Sequence, residues 1–569
     1  MILAKGYCLM TAPIRASQFV QSIGVNAQLP QLNGAARSTA TVNAMAFLGI
    51  SEMRTTITSS MLQAGGVADR LAAAGVHFDV LFGGYRAIGD TLGLVSSFAA
   101  AHPGTLDALE GPNEINNWPI NFGGLGGTAA GVAFVGAMGQ AMNAGVLAGL
   151  ALYDFTGGIR SAATMGDAAS FANIHPYPQG GNQAYDWLKS AILAHAAPGK
   201  GMVITEAGYT CTIGAKGIEG VDELTQAKLT LNLLADATVL GVDKTYLYQL
   251  FDTGSAGTAD SGFGLFNADG TAKPAATAIH NLTTILADKA AGADSFATHD
   301  LSYAIKGLPE GAHSLLIEKA NGTYELMIWA EPDIWNEAAD KAIAVTPQTV
   351  TVSLGGADAQ LAVYDPLTSA GAVATASGNA ISLTLTDHVM VVEISGLPTG
   401  ATMAAAQYDA PMQLAGTAGV DSLVGGNGDD LLSGLAGNDT IDGGGGADRI
   451  VGGLGADVLW GGAGADTFVF RTVGESTPAA SGRDTIMDFS FADGDRIDLS
   501  SIDANSRVAG NQAFVMGGNH FTGVAGQLIQ TVADHQVLVQ GDLNGDGRAD
   551  FAFTLAHLDS PLAAGAFVL

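Results

Sequence analysis

Residues 416–470 read GTAGVDSLVGGNGDDLLSGLAGNDTIDGGGGADRIVGGLGADVLWGGAGADTFVF, and their period is nine. Asp421, Asp430, Asp439, Asp448, Asp457 and Asp466 recur six times without a slip, each behind a glycine-containing tract. Two residues after each stands a bulky apolar side chain: Leu423, Leu432, Ile441, Ile450, Leu459 and Phe468. A flexible glycine-rich linker has no reason to keep acidic and apolar positions in phase. The pattern G-G-x-G-x-D-x-U-x instead predicts a parallel β-helix (β-roll) over 413–470, with the apolar residues stacked inside and calcium between its turns. Glycine permits the left-handed turns, and carboxylates with backbone carbonyls are the hard oxygen donors that Ca²⁺ takes. The six aspartates are the expected metal ligands.

Toward the C-terminus, residues 471–569 read as a β-rich cap. In it, Asp542, Asn544, Asp546 and Asp550 of DLNGDGRAD copy positions 1, 3, 5 and 9 of a calcium loop, with Gly547 at the sharp turn. Phe553 stands where position 12 would carry a bidentate Glu, so a solvated acidic turn is the competing reading. Toward the N-terminus, residues 398–412 form a small-residue linker. Before it, residues 291–397 hold alternating or β-rich segments such as His313–Lys319, Tyr324–Trp329, Gln348–Leu354 and Ala380–Leu385, which predict a β-sandwich.

Residues 1–290 alternate short apolar runs with Ala/Leu-rich stretches of helical spacing. The runs are Gly24–Leu29, Phe47–Arg54, Phe78–Phe82, Leu106–Leu109, Gly145–Leu152, Phe171–His175, Met202–Thr205 and Lys244–Phe251. Eight runs separated by helical patterns predict a (β/α)₈ barrel. A doubly wound sheet is the alternative, but GVNAQLPQLNG after the first run is no phosphate-binding turn.

Charge divides the chain in the same place. Residues 1–290 carry 14 Lys+Arg and 20 Asp+Glu, a net of −6; the remainder carries 9 and 34, a net of −25. A near-neutral working domain thus precedes an acidic appendage, and a total of −31 argues against binding nucleic acid. Cys8 and Cys211 are too few for a disulfide framework or a zinc site. The most apolar stretch, Gly131–Leu152, is interrupted by Gln140 and Asn143, so no transmembrane span is expected. The first residues match a secretory signal poorly, and export would need another route.

Two glutamates fall where barrel chemistry is performed. Glu114 (LEGPNEINNW) lies just past the fourth run and Glu206 (MVITEAGYT) at the end of the seventh. The C-terminal ends of barrel strands meet at one face, so residues 92 apart would point into one cleft. Two carboxylates in a cleft are the minimum apparatus for glycoside hydrolysis. Asp107 and Glu110, on the fourth run itself, read as structural or surface groups. Trp118, Tyr209, Tyr248 and Phe251 fall near loop positions where aromatic faces stack on sugars or simply pack the barrel mouth.

Asn113-Glu114 and Glu206 together resemble the signature of the clan of retaining (β/α)₈ glycoside hydrolases. The likeness extends to Arg54, to His175 and Tyr177 (NIHPYP), and to YLYQLFD followed by FGLFNADGTAKPA. With the following β-sandwich it is similar to family 39 of that clan, over residues 20–395; Ile115 stands where the commoner pattern has Pro. The resemblance implies Glu114 as general acid/base with a raised pKa, Glu206 as ionised nucleophile, and Asn113 on the sugar 2-hydroxyl. It implies Tyr177 and Arg54 as the groups orienting Glu206, and His175 as part of the cleft lining.

The repeat and the segments FVFRTVGES, DTIMDF and GDRIDLS resemble the RTX calcium module and C-terminal region of serralysin-type proteins. That resemblance implies extracellular localisation through a type I secretion machinery. No H-E-x-x-H and no G-x-S-x-G occur, so neither a serralysin protease nor an RTX lipase is expected. The expected activity is cleavage of a β-linked polysaccharide, endo-acting, with no cofactor in catalysis. An exo-acting, β-xylosidase-like enzyme and a non-catalytic carbohydrate-binding protein are the alternatives.

Overall fold

The computed structural model describes residues 13–569 apart from 29–34, 57, 59–65, 83–87, 144, 157–167, 196, 198–199, 215–218, 254–256, 300, 302, 310, 355–357, 398–412, 426–427 and 534. Cys8 and the linker 398–412 lie outside the described residues.

Eight parallel strands close into a barrel: β1 (Ile23–Asn26), β2 (Glu52–Thr55), β3 (His77–Leu81), β4 (Leu106–Glu110), β5 (Ala151–Tyr153), β6 (Phe171–Ile174), β7 (Gly201–Ala207) and β8 (Lys244–Leu247). They neighbour one another in sequence order, and β8 pairs with β1 to shut the ring. Two of the expected runs are partly helix. Phe47 and Leu48 end the helix Ala35–Leu48, which stops where Gly49 takes a φ of +69°, a conformation glycine adopts at helix ends. Gly145–Leu147 forms a 3₁₀ turn, so β5 begins only at Ala151. Inside the barrel, Ala108, Tyr153, Val203 and Tyr246 pack together. Gly24 is glycine because the Tyr246 ring lies 2.3 Å from where a Cβ would stand.

A strand-rich region follows. One sheet runs Ile14–Arg15, Ala312–Glu318, Tyr324–Ala330, Met390–Ser395, Ala359–Tyr364, Ala372–Gly378. It covers the barrel helix Glu223–Val239, where the Trp329 indole donates to Asp236 (2.7 Å), and Leu315, Met327 and Val391 join the barrel's own core. The second sheet begins Ala380–Leu385, Gln348–Leu354, Tyr303–Leu308 and does not stop there. Tyr303–Leu308 pairs antiparallel with Val420–Val424, the first strand of the nine-residue repeat, and the sheet continues through it. The sequence boundary at 397 is thus crossed by a ladder of backbone hydrogen bonds.

In the repeat, strands alternate between two parallel sheets and each turn advances eighteen residues: Ser422 aligns with Thr440 and Thr440 with Val458, while Leu432 aligns with Ile450 and Ile450 with Phe468. The six apolar residues of the period are buried to 1% exposure or less, the expected result of placing every U position on the inner face. Thr485–Ile486 and Phe551–Ala556 extend one sheet and Arg496–Asp498 and Phe567–Val568 the other. Among the described residues no helix is long and apolar enough to cross a membrane.

Candidate active site

Arg54, at the end of β2, organises the C-terminal mouth of the barrel. Its guanidinium grips Glu110 on β4 in bidentate fashion (2.5 and 2.8 Å), donates to Glu206 Oε1 on β7 (2.6 Å), and reaches Asn26 Oδ1 and Asn113 Oδ1 (2.8 Å each). The geometry suits a planar fork with five donors and would not suit a lysine. Tyr177 donates its hydroxyl to Glu206 Oε2 (2.9 Å), its ring held edge-on by Tyr248 and Phe263. Burial pushes the pKa of Glu206 up, but the nearby His175, the charge and hydrogen bond of Arg54 and the Tyr177 hydroxyl outweigh it, and the net direction is down. Glu206 is held as a carboxylate.

Glu114 sits in a turn after β4 with a φ of +39°, a left-handed conformation unusual for a side chain with a Cβ and typical of strained functional positions. Thr156 fixes it: its hydroxyl accepts from the Glu114 N–H (2.9 Å) and its carbonyl from Ile115 (3.0 Å). His175 Nδ1 lies 3.2 Å from Glu114 Oε1, and Asn117 Nδ2 donates to Oε2 (2.9 Å). One carboxylate oxygen of Glu114, one of Glu206 and a nitrogen of His175 lie within 4.8 Å of one another. The sequence expectation of a raised pKa for Glu114 is corrected: the hydrogen bond from His175 is the largest influence, and with Asn117 it outweighs partial burial and lowers the value.

Six expected residues therefore converge here: Arg54, Asn113, Glu114, His175, Tyr177 and Glu206. Tyr248 contributes the edge packed on Tyr177. Trp118 projects from the turn beyond Glu114 with 57% of its surface exposed. Tyr209 does not belong. It is 2% exposed and its hydroxyl donates to the Asn182 carbonyl (2.9 Å), so it packs the structure and does not face a ligand. Glu110, read as structural or surface, is fully buried beneath the cleft and holds Arg54. Asn26, Asn173 and Thr205 were missed and complete the same layer, Asn173 and Thr205 both bonding Glu110 Oε1 (2.9 and 3.0 Å). A signal existed: Glu110 and Thr205 lie two residues after Ala108 and Val203, which face the barrel interior, and period two puts them on that face.

The repeat forms a second site. The Oδ1 of Asp439, Asp448, Asp457 and Asp466 accepts the backbone N–H of the aspartate one turn earlier (2.8–2.9 Å), leaving each Oδ2 buried without a partner among the described residues. Burial raises the pKa of Asp439 and Asp448 to about 8 and of Asp457 and Asp466 to about 6. The free oxygens converge on space that glycine leaves open. Where a Cβ of Gly434 would stand, Asp439 Oδ2 is 2.2 Å and the Gly452 carbonyl 2.5 Å away, and Gly443 repeats this with Asp448 and Gly461. Cradles of carboxylate and carbonyl oxygen with no internal cation fit a hard divalent ion. Asp484 and Asp495 continue the ladder, accepting from Asp457 and Asp466 (3.0 Å each). The unbroken run of aspartates ends at Asp466, and these two follow their partners by 27 and 29 residues where the earlier rungs are spaced 18; Asp484 keeps the nine-residue phase after a skipped rung and Asp495 does not. At the ladder's start, Asp421 is partnered by Thr417 and by Gly307 of the adjoining strand. The loop at 542–550 closes differently: Asp542 accepts from Gly545 and Gly547, and Asp550 from Leu543 and Asn544, so these oxygens are already engaged.

Residues 414–568 match the family model described as Peptidase M10 serralysin C terminal. The N-terminal two-thirds is similar in structure to glycoside hydrolases at low identity. A family 39 glycoside hydrolase from Bacteroides cellulosilyticus WH2 is 13% identical, over 66% of this chain and 82% of that one, with a TM-score of 0.45. A monomeric β-xylosidase from Caulobacter crescentus CB15 is 15% identical, over 68% and 98%, at 0.45. The GH39 enzyme from Xanthomonas axonopodis pv. citri is 14% identical, over 68% and 96%, at 0.46. No curated protein matches the chain. The chain thus joins a serralysin-type C-terminal module to an eight-stranded parallel barrel.

Proposed function

We propose that this protein is a secreted retaining glycoside hydrolase that cleaves β-glycosidic bonds of a polysaccharide within the chain. The observation that carries the reading is the meeting of Glu114 and Glu206 across one cleft, with an oxygen of each within 4.8 Å. Retention needs carboxyl groups about 5–5.5 Å apart, and inversion about 6.5–9.5 Å to admit a water between them. Glu206, kept ionised by Arg54 and Tyr177, attacks the anomeric carbon while Glu114 protonates the departing oxygen. Water then hydrolyses the glycosyl-enzyme with Glu114 acting as base. Asn113, its Oδ1 occupied by Arg54, has its Nδ2 left for the sugar 2-hydroxyl.

Residues 1–290 would be the catalytic domain built on the barrel, 291–397 a β-sandwich, 413–470 a β-roll that holds Ca²⁺ between its turns, and 471–569 the cap read by a type I secretion machinery. The roll's support is its register of eighteen residues per turn and its unpartnered Oδ2 atoms.

The test is a panel of β-linked polysaccharides given to the wild type, Glu206→Gln and Glu114→Gln, with the anomer of the first product read by NMR. Loss of a nucleophile is expected to lower turnover roughly 10⁴-fold or more, and the product anomer is expected to match the substrate. Unchanged activity in both variants, or an inverted product, refutes the reading.

A further inference from the structure

We infer that His175 and Glu114 hold the acid/base proton jointly, and that the Thr205 hydroxyl arranges this by dictating which imidazole nitrogen keeps its hydrogen. The catalytic meaning of this pair rests on the hydrolase reading; the proton placement does not.

The placement follows from counting donors. Asn173 Nδ2 donates to Glu110 Oε1 (2.9 Å) and to the Asp154 carbonyl (3.1 Å), so its orientation is settled and its Oδ1 is the atom 2.7 Å from Thr205 Oγ1. Thr205 Oγ1 is also 3.0 Å from Glu110 Oε1. Both neighbours only accept, and a hydroxyl has one hydrogen. Whichever neighbour takes that hydrogen, only lone pairs remain for His175 Nε2, 2.9 Å away. Nε2 must therefore carry a hydrogen and donate it.

The other ring nitrogen is then determined. A neutral ring protonated on Nε2 turns the lone pair of Nδ1 toward Glu114 Oε1 at 3.2 Å. Two acceptors facing each other repel unless one proton stands between them. Asn117 already donates to Oε2, so Oε1 is the oxygen that shares it. Glu206 (Oε2 3.7 Å from Nδ1), Arg54, Tyr177, Glu110, the buried Asp79 that interacts with Arg54 and Glu110, and beyond them Asp154 and Tyr248 are among the charged and titratable groups of the surrounding strands.

This explains how a glutamate whose own affinity for a proton is lowered still serves as an acid. In the first half-reaction the shared proton passes from Glu114 to the glycosidic oxygen, the bond from that oxygen to the anomeric carbon breaks, and Glu206 bonds the carbon. Glu114 is left a carboxylate facing the Nδ1 lone pair. That repulsion makes it a stronger base, suited to taking a proton from the water whose oxygen bonds the anomeric carbon as the Glu206–carbon bond breaks; Glu206 leaves as a carboxylate and the resting pair is restored. His175 and Thr205 are positioning residues in this scheme, acting through Glu114.

The test is ¹⁵N NMR of the full-length protein labelled at histidine, with His175 assigned by its absence in His175→Gln, followed across pH without substrate. The neutral ring of the wild type is expected as the Nε2–H tautomer even beside a carboxylate. Thr205→Val is expected to turn it to Nδ1–H, with Thr205→Ser restoring Nε2–H. A wild-type ring protonated on Nδ1 overturns the inference, and so does a Thr205→Val spectrum like the wild type's. Should Thr205→Val fail to fold, the wild-type tautomer alone decides. Failure of Glu206→Gln to affect hydrolysis would sink the hydrolase reading while leaving this spectrum to be judged separately.

Discussion

The barrel mouth and the aspartate ladder both bury carboxylates, and the difference between them lies in where the positive charge comes from. At the mouth, Glu110 and Glu206 share a guanidinium supplied by the chain itself, and Glu206 stays ionised. In the ladder, Asp439, Asp448, Asp457 and Asp466 keep a buried oxygen without a partner among the described residues, and burial drives their pKa up. A buried charge must be paired or give way to the neutral form. The first region is complete on folding; on the reading proposed above, the second waits for Ca²⁺ from outside. A cytosol poor in calcium would leave the ladder unformed, and an exterior at millimolar calcium would close it.

Arg54→Met attacks this contrast most strongly, because it gives the mouth the ladder's problem. Breaking a buried pair by removing one partner costs about 3–5 kcal/mol, and Glu206, which Arg54 holds down, should then rise in pKa as the ladder aspartates do. Thermal unfolding of the barrel and the pH profile of hydrolysis measure both. An unchanged melting temperature would mean that the barrel does not depend on its internal cation.

Chelation is the matching experiment on the other side. Calcium at a hundredfold excess over its dissociation constant stabilises by about 2.7 kcal/mol per site, so a chelator at neutral pH should abolish hydrogen-exchange protection across 413–470. The strand Tyr303–Leu308, which pairs with Val420–Val424, should lose protection on that edge as well, while the barrel strands keep theirs. Equal protection with and without calcium would remove the contrast.

Acid should restore part of what calcium supplies. The calcium-free ladder holds Asp439 and Asp448 at about 8, and Asp484 at about 9, against 3.8 ordinarily. Between these values the folded state binds more protons than the unfolded one, so stability falls as pH rises through the window and is greatest below it. In chelator, β-sheet circular dichroism from the repeat should persist near pH 4.5 and fade by pH 8.5, with calcium erasing the dependence. The smallest effect is expected of Tyr177→Phe, which removes one hydrogen bond to Glu206 and leaves Arg54 in place. About tenfold in kcat/KM, or 1.4 kcal/mol, is the expected loss by steady-state kinetics.

Legibility in the sequence tracked how local the cause was. Glu114 and Glu206 were readable because each ends a strand pattern, and strand ends of a barrel share one face. Glu110 stayed between a structural and a surface reading because its role depends on Arg54, two strands away, and Tyr209 between stacking and packing because a loop position near the mouth says nothing about which way a ring turns. Phe47 and Leu48 are as apolar as a strand, and the helix before them simply runs on to Gly49.

The nine-residue phase of Asp and apolar side chains needed only the sequence, since a repeating backbone forces equal neighbours into equal environments. The meeting of Glu114 and Glu206 at one end of the barrel needed little more. Which oxygens are left without partners, which ring nitrogen carries hydrogen, and that Tyr303–Leu308 should join Val420–Val424 across more than a hundred residues were decided only in three dimensions. Each depends on distances between segments that have no influence on one another until the chain has folded.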